Sequence, residues 1–109
     1  MDFDFLKQKR ILLVDDEQEL LDMVSSIFAD EGFCDLKTAK TVKEALNIAE
    51  AFQPELAILD VMLPDGTGYE FCKNLRGRGV RVPIIFLTAM SEEVNIVQGL
   101  ELGADDYIA

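Results

Sequence analysis

The sequence predicts an α/β fold built on a doubly wound parallel sheet. Short continuous apolar runs, typical of strands covered on both faces, alternate with segments whose apolar residues recur at helical spacing. The helical segments span about 10 to 14 residues, which suits right-handed crossovers between parallel strands. A chain of 109 residues fits one domain with a substantial core.

The first strand is the apolar run at residues 11–14. A helix follows it and ends near Gly32, because glycine readily adopts the left-handed conformation found at helix ends. The spacing of apolar residues predicts an inner helix face made of Leu20, Val24, Ile27 and Phe28. Residues 33–39 form a weaker second strand.

A capping box opens the second helix, with Thr41 and Glu44 placed so that each side chain can bond the other's backbone amide. Pro54 stops this helix, and residues 56–59 form the third strand. The apolar face of the helix is predicted to be Val42, Ala45, Leu46 and Ala49.

The second half of the chain continues the alternation of helices and strands. Its predicted elements are a short helix with Phe71, Cys72 and Leu75 that ends at Gly77, a strand at 84–87, a helix from Ser91 to Gly103, and a fifth strand that begins at Tyr107.

Composition excludes several functional classes. A net charge of −11 argues against a surface that grips nucleic acid. No apolar run approaches the ~18 residues of a membrane span, and the start of the chain lacks a signal-peptide pattern. Cys34 and Cys72 lack metal-ligand spacing. Paired, they would form one disulfide, but we interpret them as reduced packing residues of a cytosolic protein, in a strand and a helix.

Polar side chains follow the predicted strands at the edge where such sheets bind ligands. Asp15 and Asp16 follow the first strand, Asp60 follows the third, and Thr88 follows the fourth. Two carboxylates ~4 Å apart repel by roughly 4 kcal/mol at an effective dielectric constant of ~20, unless a cation is present or one acid is protonated. Because the chain has no histidine, this all-oxygen cluster favours Mg²⁺ or Mn²⁺ over zinc.

Each acid taken singly also has a purely structural interpretation. Asp15 or Asp16 could cap the first helix, and Asp60 could begin an Asx turn. The crowding of all three at one edge favours a metal site.

Four motifs resemble the response-regulator receiver domain of bacterial two-component signalling. They are LVDDE at 13–17, LDVMLPDGTG at 59–68, LTA at 87–89 and GADDYI at 103–108. The resemblance runs over nearly the whole chain and implies the flavodoxin-like strand order 2-1-3-4-5. GADDYI is most like receivers that precede winged-helix DNA-binding domains, which implies an output in transcription.

The resemblance implies a role for individual residues. Asp60 would accept a phosphoryl group from the phosphohistidine of a sensor histidine kinase. Thr88 would move to bond the phosphoryl oxygen, and the rotamer of Tyr107 would follow it. A receiver domain assists its own phosphorylation and dephosphorylation, and in this sense it is a phosphoacceptor rather than an enzyme with a separate substrate.

The resemblance also implies the ligands of the metal. Asp16, Asp60 and the backbone carbonyl of Met62 would bind Mg²⁺ directly, and Asp15 would act mostly through a bound water. The cation would bridge the anionic nucleophile and the anionic phosphoryl group.

Other acidic sites fit less well. Haloacid-dehalogenase-type phosphatases need a second acid two residues after the nucleophile, where this chain has Met62. An EF-hand loop counted from Asp60 would put Pro64 at an acid position and Phe71 at the twelfth. A flavodoxin-like nucleotide site needs a glycine-rich or hydroxyl-rich loop after the first strand, whereas the acids here repel phosphate.

The family places a lysine, then a proline, directly after the fifth strand, and a fifth helix beyond. Because the sequence stops at Ala109, we expect residues 1–109 to be a receiver domain truncated before that helix, with its effector domain absent. The open apolar strip would favour self-association. Nucleic-acid contact would need the absent effector domain, and no membrane contact is expected.

Overall fold

The computed structural model describes residues 6–87 and 106–108. Thr88 and the predicted helix from Ser91 to Gly103 lie outside these residues. No helix within the described ranges is long and apolar enough to cross a membrane.

Within the described residues, five parallel strands form one sheet and two short strands form a separate hairpin. The strands are β1 (Arg10–Val14), β2 (Asp35–Ala39), β3 (Leu56–Leu59), β4 (Met62–Leu63), β5 (Gly66–Thr67), β6 (Ile84–Leu87) and β7 (Asp106–Ile108). The main sheet has the order β2-β1-β3-β6-β7. Counted along the chain without the hairpin, this is the order 2-1-3-4-5, so the predicted fold class and strand order are confirmed.

Helices cross over between the early strands of this sheet. In the described part of the chain they are α1 (Gln18–Asp30), α2 (Val42–Phe52) and α3 (Gly68–Gly77), preceded by a 3₁₀ turn (Leu6–Gln8). Half of the predicted capping box is shown at the start of α2, where the Thr41 hydroxyl accepts the Glu44 amide at 3.0 Å. Gln53 adopts a left-handed conformation with φ of 51° and ends α2 before Pro54.

The end of α1 matches the prediction, but its inner face does so only in part, because the predicted Leu20, Val24 and Phe28 are half-buried. Gly32 has φ of +92° and closes the helix, and the stacked rings of Phe28 and Phe33, 5.0 Å apart, cover this end. The side chain buried by α1 is Leu21, whereas Ile27 is 50% exposed. The pair Leu20–Leu21 leaves the phase of the helical pattern ambiguous, and the tertiary structure buries Leu21.

The predicted position of Cys34 in the second strand is also wrong. Cys34 is exposed and precedes β2, which begins at Asp35, so it is not a packing residue in a strand. The backbone N–H of Phe33 bonds to Phe28 and that of Cys34 bonds to Lys7, so neither amide joins the sheet ladder. Cys72 is buried in α3 as expected, and both cysteines are free.

The sheet face that meets α2 and α3 carries the main core. Strand pairing places Val14, Leu59 and Phe86 in one row across three strands, and each is at most 1% exposed. Phe71 and Cys72 of α3 are fully buried in the same cluster. The strand ends that carry the acids are therefore mounted on closely packed apolar rows.

Candidate functional site

Two backbone hydrogen bonds place the acids at one edge of the sheet. The amide of Asp15 donates to the carbonyl of Ala39 at the end of β2, at 3.0 Å. The amide of Asp60 donates to the carbonyl of Val14 at the end of β1, at 2.9 Å. Each acid thus continues the ladder of its strand by one residue, which fixes both acids at the same height on the sheet.

The structure brings the three predicted acids together. Carboxylate oxygens of Asp15, Asp16 and Asp60 all lie within 4.8 Å of one another. Asp15 is buried at 6% exposure, Asp60 is half-buried and Asp16 is exposed. The cluster is therefore closed on the strand side and open to solvent on the side of Asp16.

The capping interpretation of the first two acids is wrong. The N-cap of α1 is Glu17, and its side chain makes no capping hydrogen bond. Asp15 instead accepts the Glu17 amide at 2.8 Å, in a turn that holds its carboxylate toward the cluster. For Asp60, the backbone amides of Val61 and Met62 stabilise the carboxylate, which agrees with a local turn at this residue. For Asp60, the turn and the cluster coexist.

The crowding of the acids changes the pKa of Asp60. Burial, and then the neighbouring charge of Asp15, raise the pKa of Asp60 to about 6, against the opposing effect of the Met62 and Val61 amides. The carboxylate form is thus disfavoured near the other acids, and a bound cation would reverse this. Three oxygen donors with one side open to water suit a hard divalent cation that keeps part of its hydration shell.

The other predicted site residues are placed less completely. Met62 lies in β4, directly after the Asp60 turn, with its side chain 57% exposed. Tyr107 lies in β7, where its backbone pairs with Phe86 of β6. Thr88 lies outside the described residues.

Gly68 is a site-building residue that the sequence analysis did not identify. Its amide donates to the carbonyl of Val61 at 2.8 Å. A Cβ atom at this position would overlap the carbonyl oxygen of Asp60 and lie 2.7 Å from Cε1 of Phe86. Only glycine lets α3 approach the Asp60 backbone this closely, and no local pattern distinguishes this glycine from an ordinary turn residue.

Asp65 and Thr67 were also missed as structural residues. The Thr67 hydroxyl accepts the Glu70 amide at 3.2 Å and caps α3. The T-x-x-E spacing repeats the capping pattern that identified α2, so this signal was available. Asp65 accepts the amides of Val42 and Lys43, at 2.7 and 3.0 Å, at the start of another helix. These partners are distant in sequence, so no local signal reveals them.

Comparison with a protein-family model identifies the family of this chain. The model of the response regulator receiver domain matches residues 11–109. The chain belongs to the response-regulator receiver domain family. The resemblance noted in the four motifs is therefore confirmed.

Known relatives agree with this assignment to the receiver family. The alkaline phosphatase synthesis transcriptional regulatory protein PhoP of Bacillus subtilis (strain 168) is 47% identical over 100 residues, which cover 92% of this chain and 41% of PhoP. The transcriptional regulatory protein CreB of Escherichia coli (strain K12) is 39% identical over 104 residues, covering 95% of this chain and 45% of CreB. The chain thus spans less than half the length of these curated relatives.

A solved structure supports the fold. The BeF3-activated N-terminal receiver domain of RstA from Klebsiella pneumoniae superimposes with a TM-score of 0.85 at 30% identity, covering 91% of this chain and 83% of that one.

Proposed function

We propose that this receiver domain is a phosphorylation-activated switch in which Asp60 accepts a phosphoryl group from a sensor histidine kinase. The observation that carries the proposal is the cluster of Asp15, Asp16 and Asp60 at the carboxyl edge of the sheet, with Asp60 at the end of the buried strand β3. A strand paired with neighbours on both edges gives the nucleophile a rigid mount, and the open side of the cluster admits the phosphoryl donor.

The transfer step follows from the chemistry of the two groups. A carboxylate oxygen of Asp60 bonds to phosphorus as the bond from phosphorus to the donor histidine nitrogen breaks, and the electron pair leaves with the imidazole. Asp60 must be ionised to attack, and the amides of Val61 and Met62 stabilise that form. They also orient the carboxylate relative to the sheet edge.

Asp16 and Asp60, with the backbone carbonyl of Met62, are the proposed direct ligands of Mg²⁺, for which Mn²⁺ can substitute, and Asp15 would hold a metal-bound water. The bound cation would offset the charge of the carboxylates and of the incoming phosphoryl group. Their all-oxygen donor set fits this ion, and the clustering of the three side chains supports the assignment.

Thr88 and Tyr107 are the proposed switch residues. Thr88 would bond the phosphoryl oxygen, and the ring of Tyr107 would move into the space that Thr88 leaves. The pairing of β7 with β6 supports this coupling, because it puts Tyr107 on the strand next to the one that Thr88 follows.

The proposed output is transcription. PhoP and CreB are named as transcriptional regulatory proteins, and this chain resembles their matched segments. A whole protein of this kind would receive the signal from a histidine kinase through Asp60 and convert it into altered transcription.

Labelling by acetyl phosphate with Mg²⁺ tests the phosphoacceptor. The unsubstituted chain should form one acid-stable, base-labile acyl phosphate, and Asp60→Asn should abolish it. Asp16→Ala should weaken Mg²⁺ binding in calorimetry and slow labelling, because it removes a proposed direct ligand. Asp22→Asn is the matched control, since Asp22 is an exposed acid on α1 outside the cluster. Labelling of the Asp60→Asn chain at the unsubstituted rate would contradict the assignment.

A further inference from the structure

The hairpin that follows Asp60 has little apolar packing of its own. Its strands β4 and β5 are joined by a turn that contains Pro64 and Asp65. Of residues 62–67, all of which the structure describes, Leu63 alone is buried. Leu63 anchors the hairpin in the core, and polar contacts are left to hold its exposed turn.

Asp65 supplies such contacts by capping a helix from which it is distant in sequence. Oδ1 accepts the amide of Val42 at 2.7 Å and Oδ2 accepts the amide of Lys43 at 3.0 Å. These are the first two amides of α2, which have no partner within the helix. Thr41 takes the third amide, that of Glu44. The amides of Lys43 and Val42 hold the pKa of the Asp65 carboxyl below its ordinary value, so Asp65 is ionised at neutral pH.

A second contact seats the hairpin on the same helix. A Cβ atom built at Gly66 would lie 3.4 Å from Cγ2 of Val42. The backbone of β5 therefore runs close to the first residue of α2. Hydrogen bonds and packing together fix the turn of the hairpin to the start of α2.

The start of the hairpin lies next to Asp60, the proposed nucleophile. The backbone amides of Val61 and Met62, which lead into β4, stabilise the ionised form of Asp60. The carbonyl of Val61 is held by the amide of Gly68 at 2.8 Å. A displacement of the hairpin would therefore move the two amides that stabilise the Asp60 carboxylate.

We propose that Asp65 is a positioning residue for phosphoryl transfer, which clamps the hairpin to α2 and thereby holds the Val61 and Met62 amides on Asp60. The proposal rests on the phosphoacceptor role of Asp60. Asp65 acts through the hairpin and does not touch the reacting atoms. Transfer to a fixed nucleophile depends steeply on its orientation, so loosening the clamp slows the reaction even where the fold survives.

A matched pair of variants separates the clamp from ordinary helix capping. Asp65→Ala removes two cap bonds of α2 together with the link to the hairpin, whereas Thr41→Ala removes one cap bond of the same helix and leaves the link intact. Both variants should lower the thermal midpoint. Asp65→Ala should slow labelling by acetyl phosphate about tenfold, and Thr41→Ala should label at close to the unsubstituted rate. Asp65→Asn keeps one acceptor oxygen and should recover much of the loss.

Amide signals in nuclear magnetic resonance spectra of the metal-free chain provide a readout that does not depend on activity. The signals of Val61 and Met62 should shift in Asp65→Ala and stay in place in Thr41→Ala. Unshifted Val61 and Met62 signals in Asp65→Ala, or equally slowed labelling by acetyl phosphate in both variants, would overturn the proposed role of Asp65. Absence of labelling in the unsubstituted chain would overturn the phosphoacceptor role instead, while the amide signals still report whether the clamp exists.

Discussion

The strand that leads into Asp60 and the hairpin that leaves it are held by different forces. Leu59 of β3 is fully buried, and β3 is paired on both sides, with β1 and β6. Met62 of β4 is 57% exposed, and β4 pairs with β5 alone in the described part of the chain. Asp60 thus follows a closely packed strand and precedes a segment in which buried Val61 and Leu63 alternate with exposed residues and hydrogen bonds supply the rest of the support.

This difference separates stability from site geometry. Burying a large apolar side chain contributes about 1.5 to 3 kcal/mol, whereas a typical hydrogen bond contributes a net ~0.5 to 1.5 kcal/mol. Changes on the strand side should therefore lower the stability of the domain strongly. Changes on the hairpin side should leave it folded and alter the position of the carboxylate.

The largest expected effect is on the strand side. Leu59→Ala should lower the free energy of unfolding by about 2 to 5 kcal/mol, because it opens a cavity in a closed row of the core. Met62→Ala, three residues later, should change it by no more than ~0.5 kcal/mol, since that side chain is largely exposed. Urea denaturation followed by circular dichroism measures both. Comparable losses in the two variants would remove the distinction between strand and hairpin.

Gly68→Ala should have an intermediate effect and act at the boundary between the two regions. The added methyl group meets the Asp60 backbone, which cannot yield as a flexible side chain can. We expect a loss of about 1 to 3 kcal/mol in unfolding free energy, together with strongly slowed labelling by acetyl phosphate. Gly77→Ala is the control, because a Cβ at Gly77 meets nothing within 4 Å. If the Gly68→Ala variant is labelled at the rate of the unsubstituted chain, the close approach of α3 to the Asp60 backbone does not position Asp60.

The smallest expected effect is a gain in stability from Asp60→Asn. The pKa of Asp60 is about 6 in the folded chain and 3.8 in the reference state, so the folded state binds more protons between these values. Stability contributed by this group is therefore present below about pH 4 and is lost as pH rises through 6. Asparagine at position 60 cannot ionise, so Asp60→Asn avoids this loss of stability. At pH 7 the variant should be more stable than the unsubstituted chain by on the order of 1 kcal/mol, after allowance for partial exposure.

Chemical denaturation from pH 4 to 8 without divalent cations measures this difference. The gap between Asp60→Asn and the unsubstituted chain should close toward pH 4, where both side chains are neutral. Added Mg²⁺ should narrow the gap at pH 7, because the cation stabilises the carboxylate of Asp60. A gap that is constant with pH would show that charge crowding is not its cause.

Local patterns determined much of this protein from its sequence. The apolar runs predicted β1, β3 and β6 to within one residue, and the Thr41 capping box predicted the start of α2. The position of each acid directly after a strand predicted the cluster, because parallel strands end at a common edge. These features depend on neighbours in the chain, which a sequence displays directly.

Other features were decided by tertiary contacts. The burial of Leu21 rather than Leu20 is visible only in the tertiary structure, and Cys34 stays outside β2 because its amide bonds to the 3₁₀ turn. The helix-capping role of Asp65 joins residues 23 positions apart, and the need for glycine at position 68 comes from the approach of α3 to the Asp60 backbone. Such contacts form only when segments distant in sequence pack together, so residue type and local spacing alone do not predict them.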